Sequence, residues 1–273
     1  MIIKIKQTES NLKNRFEIKV NNELKYLAGT PWMEINVPFN MDRMRSCVIT
    51  NTDNNICYTT LYDVAENIAN TAIPMKWAFT GEQKSQIYNI LDNQNNICGK
   101  FYKLTNGLID TKYVIEYGDI LLKSYDVSVG KTRNLLIYNE NRQIAEIVKP
   151  LSVSNYKDEY NLFLLDEYSD LDIILSFFTI VFDYQNYGNN GRTGSQESVQ
   201  IKYTYSKNNK FYDKNWITNH FPKEEVDSIY SQMLENRKNT TNSIKKQGKY
   251  ILLTVGLIWL VLLIVFGIFF MFF

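Results

Sequence analysis

A fifteen-residue stretch, Ser169–Asp183, is apolar on every side of the helix that it would form. Ile174 and Phe178 fall on one helical face, and Ile173 and Phe177 fall on another. Such a helix has no face to turn to water, so protein or lipid must enclose it. Its uncharged part would be only about 15 Å long, roughly half the thickness of a hydrocarbon core. We therefore predict that residues 169–183 form a central helix that runs through the middle of a folded domain.

Acidic residues mark the start of this predicted helix. Ser169 is a candidate N-cap, and Asp170 and Asp172 lie in the first turn, where the helix dipole favours negative charge. Asp166 and Glu167 extend the acidic cluster, but the spacing does not match a calcium-binding loop. We assign these side chains to capping and solvation and predict no metal ligands.

Four segments repeat one pattern, in which two strands of alternating apolar residues flank a polar turn rich in Asn and Asp. This pattern is typical of β-hairpins with one buried face. The four segments are 15–29, 47–60, 87–103 and 134–149. Further strands are predicted at 113–117, 120–129, 160–165 and 199–205.

A sheet with this many strands exposes its edges unless it closes, and a closed barrel needs something to fill its lumen. The central helix supplies that filling. We therefore predict a mainly β fold, a closed antiparallel barrel of about twelve strands around a hydrophobic α-helix. A short helix is also predicted within residues 60–72, with Leu61, Val64, Ala65 and Ile68 on its apolar side.

Two short motifs follow hairpin turns, Ile97–Lys100 (ICGK) and Ile144–Ile147 (IAEI). Together with the late, acid-flanked apolar helix, they resemble the tubby C-terminal-like superfamily, particularly its LURP-one-related and phospholipid scramblase-like branches. The resemblance covers residues 1–187 and implies a barrel of about a dozen antiparallel strands around one hydrophobic helix. The chain departs from the superfamily, in which the central helix lies near the chain end, because about 85 residues follow it here.

Residues 188–249 are predicted to contain a polar connector, a strand and an amphipathic helix at 222–238. Pro222 suits the first turn of this helix. Its apolar residues recur at helical spacing and form a single stripe of Val226, Ile229, Tyr230, Met233 and Leu234.

The 23 residues 251–273 carry no charge, and at ~1.5 Å per residue they can cross a ~30 Å hydrocarbon core. Eighteen of them are Leu, Ile, Val or Phe, so membrane insertion is favoured by on the order of 5 to 10 kcal/mol. The first eleven residues are too polar for a signal peptide. We predict that residues 250–273 form a single C-terminal transmembrane anchor.

Five basic residues and no acidic residue lie just before this segment: Arg237, Lys238, Lys245, Lys246 and Lys249. The positive-inside rule places this basic flank, and with it the N-terminal domain, in the cytoplasm. Two interpretations of the flank remain open. It is either a topology signal alone or a site that captures anionic lipid headgroups, at about 1 kcal/mol for each basic residue near the surface.

The composition offers little for catalysis or for nucleic-acid binding. A net charge of +1 supplies no field that would capture nucleic acid. No phosphate-binding loop is complete, because Tyr125 stands where the motif before Gly130 requires glycine. A single histidine and three widely spaced cysteines form no zinc-site spacing. These residues are His220, Cys47, Cys57 and Cys98.

The function predicted from the sequence is that of a non-catalytic, membrane-anchored module, without cofactor, that binds lipid or acts as a scaffold beside the membrane. A protein partner is not identified. The alternative is a scramblase-like phospholipid transporter, which the family resemblance and the apolar span suggest. Against it, the chain lacks the Pro-rich leader, the Cys-rich acylation cluster and the acidic calcium motif of that branch, and a single apolar span offers headgroups no polar path.

Overall fold

A computed structural model of the chain describes residues 1–10, 14–30, 45–107, 110–130, 132–150, 152–153, 157–187, 198–199 and 207–235. Twelve strands form one closed antiparallel barrel: β1 (Ile2–Ser10), β2 (Asn14–Val20), β3 (Glu23–Gly29), β4 (Arg45–Asn51), β5 (Ile56–Tyr62), β6 (Gln83–Leu91), β7 (Ile97–Thr105), β8 (Thr111–Tyr117), β9 (Ile120–Val129), β10 (Thr132–Asn139), β11 (Arg142–Pro150) and β13 (Glu159–Leu164). The short strands β12 (Ser152–Val153) and β14 (Ser198–Val199) pair with each other outside the barrel. The predicted mainly β fold and the closed barrel are confirmed.

The strand order around the barrel is β1-β13-β11-β10-β9-β8-β7-β6-β5-β4-β3-β2. The four predicted hairpins are β2–β3, β4–β5, β6–β7 and β10–β11, and β8, β9 and β13 occupy three further predicted strands. Several turns use Asn in the left-handed region, with φ between 49° and 70° at Asn21, Asn22, Asn54 and Asn95, a conformation that Asn tolerates well. Of the strand predicted at 199–205, only residue 199 lies within the described part of the chain.

Strand β1 is not predicted from the sequence, yet it closes the barrel. It pairs with β13 on one side and with β2 on the other. Ile3, Ile5 and Gln7 are fully buried and share one face of the strand. The alternation is present in the sequence, but the lysines and other polar residues between these positions give the segment a polar appearance.

The two ends of the barrel differ. One end, which we call the turn end, carries the tight turns at 21–22, 52–55, 92–96, 118–119 and 140–141. The other, which we call the loop end, carries the longer connections, including residues 63–82 between β5 and β6. The described helices are α1 (Val64–Thr71), α2 (Trp77–Thr80), α3 (Asp172–Asn186), α4 (Trp216–His220) and α5, residues 223–235.

Helix α3 lies inside the barrel, and it enters at the turn end and finishes at the loop end. All its residues from 174 to 183 are buried, in one core cluster with inward-facing residues from strands all around the barrel. Phe101 of β7 and Tyr113 of β8 lie with their ring centroids 5.6 and 6.0 Å from that of Phe178. An apolar helix with no polar face is thereby enclosed by the sheet.

The start of the central helix differs from the prediction. The predicted helix 169–183 becomes a 3-10 turn, Asp166–Leu171, followed by α3, which ends at Asn186. Ser169 lies within this turn, whose Tyr168 departs from helical dihedral angles (φ −113°, ψ 22°), and Leu171 takes the N-cap position of α3 instead.

Helix α1 confirms the short helix predicted within 60–72, but Leu61 belongs to β5 and the apolar side of the helix does not meet the barrel. Val64, Ala65 and Ile68 face solvent, and the buried residue of α1 is Asn67. Asn67 exchanges two hydrogen bonds with the backbone of Ile87, each 3.0 Å long. These bonds satisfy the free backbone groups of β6 beside α1, and they turn the polar side of the helix toward the barrel.

The C-terminal part of the described chain covers the outside of the barrel. Val226, Ile229 and Met233 of α5 pack with Trp216 and Phe221 onto outward-facing residues of the sheet. Those outward-facing residues are Ile2, Val148, Phe163 and Leu165. Of the apolar stripe predicted for the helix 222–238, Val226, Ile229 and Met233 are buried and Tyr230 is partly buried, whereas Leu234 is exposed.

Among the described residues, no helix is both long enough and apolar enough to cross a membrane. The segment 250–273, for which a transmembrane helix is predicted, lies outside the described residues.

Candidate functional site

At the turn end, acidic residues around the start of the central helix have cationic partners on the barrel. Lys25 donates from Nζ to Asp172 Oδ2 at 2.6 Å, and the Tyr26 hydroxyl donates to the same carboxylate. Two further ion pairs join Arg142 to Glu167 and the Met1 amine to Asp166. Among the described residues, no group of three or more His, Cys, Asp or Glu side chains is arranged to hold a metal ion.

At the loop end, a buried polar network surrounds the last turns of α3. The Tyr160 hydroxyl donates to Asp183 Oδ1 at 2.5 Å. Lys149 is ion-paired with Asp158, and its Nζ lies 4.2 Å from the ring centroid of Tyr187. The network therefore joins β11 and β13 to the central helix.

Arg133 extends this network to the neighbouring strands. Its Nε donates to Asp126 Oδ1 at 2.8 Å, a second bond joins the same two side chains, and its Nη1 donates to the Tyr187 hydroxyl at 2.9 Å. Its guanidinium carbon lies 4.9 Å from the ring centroid of Phe182. Burial alone lowers the pKa of Arg133, but the bonds to Asp126 outweigh this effect and raise it, so the guanidinium stays charged.

The Asp183 carboxyl group of this network has a perturbed pKa. Burial and the nearby Asp158 raise the pKa of Asp183 well above its usual range, although Tyr160 and Lys149 act in the opposite direction. Burial therefore favours the protonated form of Asp183, while Lys149 with Asp158 and Arg133 with Asp126 each form an ion pair. All these charged groups are more than nine-tenths buried. The arrangement indicates a role in fixing the end of α3 inside the barrel.

Glu146 is a second perturbed carboxyl group, on the outer face of β11. Asn134 Nδ2 donates to its Oε1 at 2.6 Å, and Gln143 Nε2 donates to its Oε2 at 3.2 Å. Burial raises the pKa of Glu146 to about 7, and nearby Asp213 adds to this rise, while the two amide donors lower it.

The Glu146→Gln variant should alter how stability depends on pH. A carboxyl whose folded pKa is raised stabilises the fold fully below its unfolded pKa, and this contribution is lost as pH rises through the folded value. Between about pH 4.5 and 7 the parent protein should therefore lose on the order of 3 kcal/mol relative to the variant. Urea unfolding of both proteins at a series of pH values measures this difference. A constant difference across the range would contradict the assignment.

A groove of about 350 Å³ lies between α5 on one side and β1 with the β2–β3 turn on the other. Lys4 lines one side and Glu224 and Glu225 line the other, together with Asn21 and Asn22. Because both charge signs are present, the groove selects neither an anion nor a cation.

The residues that bear reactive groups are dispersed. The His220 Nδ1–H donates to the Trp216 backbone carbonyl oxygen at 2.7 Å, and the His220 ring packs on the Trp216 indole. Cys47 is buried in the core, and Cys57 and Cys98 are half-buried on separate strands. Burial raises the pKa of each of these thiols.

The site residues predicted from the sequence lie outside the described residues, namely Arg237, Lys238, Lys245, Lys246 and Lys249. The buried charges at the loop end are not predicted from the sequence. A signal for two of them is present, because Lys149 has the same strand parity as Ile147, and Arg133 the same parity as Leu135, both of which face inward.

Comparisons of the chain with protein-family models, with curated proteins and with solved structures found no match.

Proposed function

We propose that this protein is a membrane-anchored, cytosol-facing barrel of the tubby-like kind that acts as a non-catalytic binding or scaffold module beside a lipid surface. The observation that carries the proposal is the uncharged segment 251–273, preceded by the five residues of the basic flank. An apolar segment of this length favours a bilayer, and the basic flank favours the cytoplasmic side.

The barrel architecture supports the proposal in two ways. A closed barrel of twelve antiparallel strands with α3 in its lumen agrees with the fold that the family resemblance implies. Because α3 occupies the lumen, a lipid or protein partner would be bound on the outer surface. Helix α5 packs on that surface as far as Met233, and the basic flank begins four residues later at Arg237.

The test is binding of a chain that ends at Lys249 to anionic vesicles. All the buried clusters lie within residues 1–235, so this chain keeps the whole described core. Five cations beside an anionic leaflet can contribute a few kcal/mol, and this attraction should fade as salt rises. Neutralising the flank to Gln at Arg237, Lys238, Lys245, Lys246 and Lys249 should remove binding in a cosedimentation assay.

A chain that ends at Asn236 is the matched control, because it keeps α5 and lacks the flank. If it binds as well as the longer chain and salt has no effect, recognition lies on the barrel. If none of these chains binds, the flank is a topology signal only.

A further inference from the structure

Ten large apolar side chains are exposed among the described residues, and half of them lie in the single connection 63–82 between β5 and β6. Phe79 is the most exposed, at 84%, and Ile68 is 61% exposed. A concentration of this kind on a folded surface marks an interaction site. The five residues are Val64, Ile68, Ile73, Met75 and Phe79.

Polar contacts hold this connection against the barrel, and its apolar side chains are therefore directed away from the barrel. Asp63 caps α1 by accepting from the Glu66 backbone N–H at 2.9 Å, and Glu66 is ion-paired with Lys100 of β7 at 2.6 Å. Gln83 donates from Nε2 to the Asn70 carbonyl at 2.9 Å. The side of α1 that meets the barrel is therefore polar, and the apolar side is left for another surface.

We propose that the connection 63–82 docks on the interfacial layer of a lipid bilayer, an inference that rests on the proposed membrane anchor. The fourteen residues 236–249 between α5 and the apolar segment span at most about 50 Å. An anchored barrel is thus held within reach of the bilayer, and either end of it can meet the surface. Apolar side chains of this kind bury themselves at the boundary between headgroups and acyl chains.

The charges of the connection indicate that neutral lipid is sufficient. Asp63 and Glu66 are engaged within the protein, because Asp63 also accepts from Asn89. The remaining charged residues, Lys76 and Glu82, balance each other. The docking is therefore driven by apolar burial and differs from the electrostatic contact proposed for the basic flank.

The test uses the full chain in phosphatidylcholine vesicles and two matched positions for an environment-sensitive fluorophore. Ile68→Cys places it on the connection, and Ile97→Cys places it at the turn end, where Ile97 is equally exposed at 60%. Both variants carry Ser in place of Cys57 and Cys98, and Cys47 is fully buried in the core. Vesicles with and without a quencher on the lipid acyl chains are compared after flotation.

We expect the lipid-borne quencher to reduce emission from position 68 and to leave position 97 unchanged. The double substitution Met75→Ser and Phe79→Ser should then abolish quenching at position 68 without affecting flotation, since it leaves the predicted anchor 250–273 unchanged.

Protein that floats but shows no quenching at position 68 would overturn the inference and leave the membrane anchor in place. The same holds if position 68 has blue-shifted emission that the quencher does not reduce, since protein would then cover the connection. Protein that does not float would overturn the proposed anchor, and the docking inference with it.

Discussion

The Phe178→Asp variant is expected to lose its cooperative unfolding transition altogether. Phe178 is 2% exposed, and its ring contacts those of Phe101, Tyr113 and Phe182 in the lumen. The substitution removes this packing and leaves a carboxyl group there without water or an ionic partner. The two effects together should cost on the order of 5 kcal/mol or more, which is comparable with the whole stability of a domain.

Phe79→Asp is the matched control, because Phe79 is exposed on the connection 63–82. In the chain that ends at Lys249, this variant should keep the thermal transition of the parent, followed by circular dichroism. If Phe178→Asp stayed soluble with an unchanged transition, α3 would not be the enclosed centre of the barrel.

The Arg133→Met variant should be the next most damaging. It leaves the buried Asp126 without its cationic partner, and removal of one member of a buried ion pair costs about 3 to 5 kcal/mol. The loss of the bond to Tyr187 also frees the end of α3. Urea unfolding should therefore show a lower midpoint with a similar slope.

Arg142→Met tests whether this cost comes from burial. Like Arg133, Arg142 donates two hydrogen bonds to one carboxylate, here that of Glu167. Its guanidinium lies near the ring of Tyr168. Both members of this pair are exposed, so water can replace the lost contact. Its midpoint should match that of the parent. Equal losses in Arg133→Met and Arg142→Met would contradict the role given to the buried network.

The parts of the fold that follow from local pattern can be predicted from the sequence. The four hairpins repeat an alternating pattern around Asn-rich turns, and α3 has no polar face, so both follow from short-range chemistry. The face of α1 cannot be obtained in this way. Its apolar stripe predicts burial, but Asn67 satisfies the backbone at Ile87, and this long-range requirement decides which side faces the barrel.

The candidate site is predicted less completely. Charges such as Lys149 and Asp158 are tolerated in the lumen because they pair there, Lys149 from the end of β11 and Asp158 from the residue before β13. A sequence pattern can indicate that Lys149 faces inward, but it cannot identify its partner. The basic flank, by contrast, is recognised from the sequence alone, because charge beside an apolar segment needs no tertiary structure to be informative.

The most direct test of the proposed anchored, cytosol-facing barrel is thiol labelling in sealed microsomes. The full chain with Ile97→Cys, and with Ser at Cys57 and Cys98, is inserted and then treated with a membrane-impermeant maleimide before or after detergent. We predict that the protein stays in the membrane fraction after alkaline extraction and that position 97 labels equally with and without detergent. Recovery of the protein in the alkaline supernatant, or labelling only after detergent, would contradict the account.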